Sequence, residues 1–61
     1  MKREALLRLL RKHGCCLKRE GHSHTPWVNP RTGATEAVPP HSEIANRLAA
    51  KICKGLSVPL G

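Results

Sequence analysis

The stretch Asn29-Pro30-Arg31-Thr32-Gly33, near the middle of the 61-residue chain, constrains the fold more than any other. Proline presets φ and lacks an N–H, while asparagine and glycine tolerate the backbone angles of a tight turn. Together the five residues read as the turn that closes a hairpin. A hairpin requires a strand on each side, and residues 24–28 and 34–38 supply them, the second ended by Pro39-Pro40. A further strand is predicted at residues 15–20, with Cys15 and Leu17 on one face and Cys16, Lys18 and Glu20 on the other. Gly21-His22-Ser23 makes the turn between.

Helical periodicity occupies both ends. In residues 1–13, Leu6, Leu9, Leu10 and His13 follow the i, i+3, i+4, i+7 pattern, and Lys2, Arg3, Arg8, Arg11 and Lys12 fall mainly elsewhere. Gly14 stops this helix, with basic residues in its last turn favoured by the helix dipole. Ser42 reads as the N-cap of a second helix, with Glu43 in its first turn. Its apolar stripe is Ala45, Leu48, Ala49, Ile52 and Leu56; Gly55 terminates it and Pro59 prevents resumption. The order predicts an α+β fold, helix–strand–strand–strand–helix, with a three-stranded antiparallel sheet and both helices on one face. If Thr25 and Trp27 face the helices, His24 faces out with Pro26 and Val28. Pro26 cannot donate a ladder hydrogen bond, so a bulge or a local break is expected beside His24.

Residues 1–61 are long enough for a single domain only, and a chain this short buries roughly 60% of the surface its unfolded form exposes. Its core must be aliphatic, because Trp27 is the sole aromatic residue. A binding partner is the expected source of extra stability. The net charge of +7 points to a polyanion, RNA or DNA foremost, or to an acidic protein. Any single Lys or Arg also reads as part of a solvated helix face. Neither a secretory signal nor a membrane-spanning segment is expected, and a basic helix lying on a membrane surface is a minor alternative. Three cysteines form no pairable framework and suit a reducing cytoplasm. Cys15 and Cys53 read as small buried hydrophobes and Cys16 as more exposed. His22, His24, Cys15 and Cys16 are close in sequence but lack a Cys-x-x-Cys pair, and neighbouring strand residues point to opposite faces. No metal and no cofactor is therefore expected.

One ordered set of features remains: a helix, Gly14, a strand ending at Arg19, Ser23-His24, an aromatic on the next strand, Asn29-Pro30, Pro39-x-His41 and a closing amphipathic helix. This set resembles the HicA family of bacterial toxins, from Met1 to Pro59. The resemblance implies a fold like that of double-stranded-RNA-binding domains. It also implies a toxin that cleaves mRNA and is neutralised by a HicB-type antitoxin. The family's catalytic histidine follows a glycine and a serine after the first strand, and His24 occupies the matching position. The family usually reads Gly-Ser-His, whereas here His22 stands directly before Ser23 and the glycine is Gly21. Cys15 stands where an aromatic commonly follows the glycine after the first helix.

What the resemblance implies is chemically coherent. The 2′-hydroxyl of RNA is a nucleophile beside its own phosphate, so cleavage needs proton transfer and charge stabilisation and no metal. Histidine exchanges a proton near neutrality. The implied roles are proton transfer for His24, phosphate binding for Lys18 and Arg19, and RNA contact or loop positioning for Ser23. His22 is a second candidate RNA contact, acid or base, or simply a turn residue. Without the resemblance, His24 reads as a surface or hydrogen-bonded histidine, Lys18 as solvated, and Arg19 as an ion-pair partner of a carboxylate such as Glu20. His13 reads as a helix-capping or surface residue, His41 as an exposed loop residue and Trp27 as core. Lys51 and Lys54 either track phosphate or solubilise the last helix. Two non-catalytic readings stand beside the ribonuclease: an RNA-binding module on the same fold, and a basic interaction protein for an acidic partner.

Overall fold

A computed structural model describes residues 1–18 and 25–60. The elements run α1 (Arg3–Lys12), β1 (Cys16–Leu17), β2 (Thr25–Asn29), β3 (Ala34–Val38) and α2 (Asn46–Gly55). The strands form an antiparallel sheet in the order β1-β2-β3. Pairs Thr25↔Val38, Trp27↔Glu36 and Asn29↔Ala34 lie on one face, and Trp27, Asn29 and Val38 on that face are buried. They meet Leu6, Leu7 and Leu10 of α1 and Ala49, Ile52 and Cys53 of α2 in a single core cluster. On the opposite face, Cys16, Thr35 and Ala37 are exposed and Val28 is half-buried. Both helices therefore cover one side of the sheet, as the periodicity predicts.

Pro26 is accommodated without a bulge. The β2–β3 register is unbroken across five pairs, including Pro26↔Ala37. In an antiparallel ladder a residue's N–H and C=O point to the same neighbour. The Pro26 carbonyl accepts the Lys18 N–H at 2.9 Å, so the side lacking a proton faces β1 and not β3. β1 ends at Leu17, and the position beside His24 where a bulge or break is expected lies outside the described residues. Leu17 pairs with Trp27 yet is 52% exposed, so it does not join Cys15 in the interior as alternation predicts.

Both helices end in the same backbone device. Cys15 N–H donates to Leu10 O (2.9 Å) and Gly14 N–H to Arg11 O (3.0 Å); Val58 N–H donates to Cys53 O (2.8 Å) and Ser57 N–H to Lys54 O (3.2 Å). These are the paired bonds of a Schellman motif, which requires a left-handed residue just past the helix. Gly14 fills that position after α1 with φ +86°, as predicted. After α2 it is Ser57, with φ +57°, and not Gly55. Gly55 is the last helical residue, and the end of the Glu36 side chain lies where a Cβ would project. Its role is to let a strand side chain pass across the helix.

The start of α2 also departs from expectation. Ser42 does not cap it; the helix begins at Asn46 with Ala45 in the capping position. Residues 42–44 are joined to residues 1–3 through the backbone: Arg3 N–H donates to Ser42 O (3.0 Å), Ile44 N–H to Met1 O (2.7 Å), and Lys2 bridges Glu43. This pairing satisfies an N–H at the start of α1, where helices leave donors open. It also turns Ile44 into the core, while Ala45 is exposed.

Candidate functional site

Of the five residues singled out for RNA chemistry, Lys18 is exposed at the end of β1, held through its backbone to Pro26. Arg19, His22, Ser23 and His24 lie outside the described residues, as does the turn expected at residues 21–23. Thr25 and Trp27, which follow them on β2, are tied to the basic side of α1. Arg3 Nη2 donates to Thr25 Oγ1 at 3.3 Å, and its Nε donates to Pro39 O at 2.9 Å. Eight residues along the helix, the Arg11 guanidinium lies 5.3 Å from the centroid of the Trp27 ring, within cation–π range. Trp27 itself is 3% exposed, so it is core, as expected. Among the described residues its buried indole N–H meets no acceptor.

Arg3, Glu4, Leu7, Arg8 and Arg11 line an open groove of about 440 Å³ along α1. The helical pattern assigns these arginines to a solvated face and cannot show that one of them holds Thr25 and another lies on Trp27. The available signal was spacing: Arg8 and Arg11 stand one turn apart, on the same side of a helix. A second depression near the chain start carries both signs of charge, lined by Lys2, Arg3, Glu4, Pro40, Ser42 and Glu43. Another basic row, Arg47, Lys51 and Lys54, is exposed on α2 at i, i+4, i+7.

The thiols divide as predicted, with Cys15 and Cys53 buried and Cys16 exposed. Burial pushes the Cys15 and Cys53 thiols up, with a neighbouring cysteine adding to each shift, which keeps both protonated and unreactive. His41 is exposed and His13 half-buried at the end of α1. Among the described residues, no group of three or more His, Cys, Asp and Glu side chains is placed to hold a metal ion. No described helix is long and apolar enough to cross a membrane.

Comparison with curated proteins and with solved structures finds no significant match. A protein-family model does match, described as the HicA toxin of bacterial toxin–antitoxin, and it aligns with residues 3–57. That span takes in both helices, all three strands and the position of His24. An α-β-β-β-α chain matched by this model over nearly its whole length belongs to the HicA toxin family.

Proposed function

We propose that the chain is the toxin of a toxin–antitoxin pair and acts as a metal-independent endoribonuclease on mRNA. The observation that carries this reading is the family match over residues 3–57, and His24, which lies within that span, is the residue proposed for catalysis. In the proposed step, the 2′-oxygen of a ribose forms a bond to the adjacent phosphorus while the bond to the 5′-oxygen of the next nucleotide breaks. The 2′-proton passes to a base, and the leaving oxygen gains a proton. His24 serves one of these transfers, a role that typically contributes about 10²–10⁴-fold. Lys18 and Arg19 stabilise the charge that builds on the phosphate, and His22 and Ser23 contact the RNA.

The proposed inhibitor is an acidic HicB-type antitoxin that covers the open sheet face carrying Cys16, Val28, Thr35 and Ala37. A net charge of +7 supports an acidic partner. A partner that binds only the folded chain stabilises it by mass action, by about 2.7 kcal/mol at a hundred times its Kd. The test is cleavage of an RNA transcript by the purified chain and by His24→Ala, each with and without EDTA. The expected result is cleavage that ignores EDTA and disappears in the variant while its circular dichroism is unchanged. Undiminished cleavage by His24→Ala removes the residue from the mechanism, and strong inhibition by EDTA reinstates a metal. RNA binding with no cleavage by the parent chain favours the non-catalytic module.

A further inference from the structure

We infer that Arg8 and Arg11, with Arg3 at one end, form a track on α1 for the phosphodiester backbone of single-stranded RNA. The inference rests on the ribonuclease reading and adds to it a surface that the sequence left as a solvated helix face.

Three arginines and one acidic residue, Glu4, line the groove. Between described residues the one ion pair joins the Met1 ammonium to Glu43 and involves neither Arg8 nor Arg11. Arg11 lies on the Trp27 ring, which orders the guanidinium and leaves its charge intact. A side chain already ordered loses less entropy when it binds a phosphate.

The position of the track is as informative as its charge. Arg3 is anchored to Thr25, the residue that follows His24 in the chain. From Arg3 to Arg11 the helix rises about 12 Å. A strand of RNA lying along Arg11, Arg8 and Arg3 is therefore led to Thr25, the residue next to His24 in the sequence.

The lining also selects the occupant. Leu7 is the only apolar residue in the groove and is itself buried. Protein interfaces are centred on apolar or aromatic anchors, which this groove does not offer. A nucleic-acid backbone needs guanidinium donors and no such anchor.

The test uses the full chain carrying His24→Ala, so that RNA is not consumed, and a fluorescein-labelled single-stranded RNA oligonucleotide. Anisotropy gives Kd across a salt series. Each phosphate contact on a single strand contributes about 0.7 to the slope of log affinity against log salt. Adding Arg8→Gln and Arg11→Gln is expected to lower that slope by about 1.4. Arg8→Lys with Arg11→Lys keeps it, and Arg47→Gln with Lys51→Gln on α2 leaves it unchanged. With unlabelled RNA, emission from Trp27, the only tryptophan, is expected to change on binding. Arg8→Gln alone, which touches no aromatic ring, covers the case in which losing Arg11 disturbs folding.

A slope retained in the α1 double variant and lowered in the α2 variant moves the track to α2 and overturns the inference, with the ribonuclease reading intact. RNA binding that survives the α1 changes while affinity for an acidic antitoxin is lost assigns the groove to a protein. Failure of the parent chain to bind RNA at any salt concentration defeats both readings.

Discussion

Removing the carboxamide of Asn29 is expected to destabilise this fold more than any other single change in the hairpin turn. The side chain is 4% exposed, and its Nδ2 donates to the Leu56 carbonyl at 2.6 Å. Its Oδ1 accepts the Arg31 N–H at 3.0 Å, and its backbone carbonyl accepts the N–H groups of Thr32 and Gly33. One residue thus closes the β2–β3 turn and satisfies a carbonyl at the end of α2. In Asn29→Ala a net hydrogen bond of about 0.5–1.5 kcal/mol is lost, and a buried carbonyl left unpaired costs about 1–3 kcal/mol more. The sum, roughly 2–4 kcal/mol, compares with a total stability of about 3–9 kcal/mol for a chain of this length. At about 4–8 °C per kcal/mol for so small a domain, the midpoint of thermal unfolding falls by roughly 8–32 °C.

Asn29→Asp adds a pH signature to the same argument. Burial and the Leu56 carbonyl raise the new carboxyl above its unfolded value of about 3.9. Below that value the protonated acid donates to the carbonyl as the amide did. Above it the unfolded chain gives up a proton that the folded chain keeps, so stability falls as pH rises until the folded pKa is passed. Circular dichroism melts of parent and variants between pH 3.5 and pH 8 measure both effects. A midpoint within about 3 °C of the parent for Asn29→Ala, or a parent–variant difference for Asn29→Asp that does not change with pH, refutes the reasoning.

Three further outcomes follow from the helix ends and the thiols. Ser57 holds a left-handed φ that costs an L-residue roughly 1–2 kcal/mol. Ser57→Gly should therefore raise the melting midpoint, and Gly14→Ala should lower it by a matching amount; no change in either denies the strain. A thiol reagent at pH 8 should modify Cys16 rapidly, and Cys15 and Cys53 only on unfolding, so rapid reaction of all three contradicts their burial. Because burial raises the Cys15 and Cys53 pKa values, their contribution to stability is complete below about pH 8.5, the ordinary cysteine value. It is lost as pH rises beyond that point. Replacing both by alanine should flatten the alkaline limb of a stability–pH curve, and an unchanged limb assigns the loss to other groups.

The elements were legible because each is punctuated locally. Ala34–Val38 lies where the Asn29–Gly33 turn and Pro39-Pro40 require a strand, and α1 stops where Gly14 permits a left-handed backbone. Trp27, read as core, is buried. The misread positions share a cause. Ser42 and Glu43 have the composition of a helix start, but residues 1–3 offer their backbone groups a partner 40 positions away in the chain. Leu17 alternates correctly and is still exposed, because burial needs a covering helix as well as a face. Asn29 was visible as a turn residue but not as a buried donor.

The candidate site divides in the same way. The resemblance singled out His24 from the order of residues around it, and the family match includes that position. The arginine groove on α1 could not be read in advance. A helical pattern assigns Arg3, Arg8 and Arg11 to the side away from the apolar stripe without saying what lies there. Sequence by itself determined the order and type of the elements, the sidedness of the sheet and the family, since these follow from local backbone preference, periodicity and residue order. Only the tertiary structure decided that Arg3 reaches Thr25, that Arg11 covers Trp27 and that Asn29 ties a turn to a helix end. Each of these depends on groups brought within hydrogen-bond or ring-contact distance by packing, and packing is a property of the whole chain.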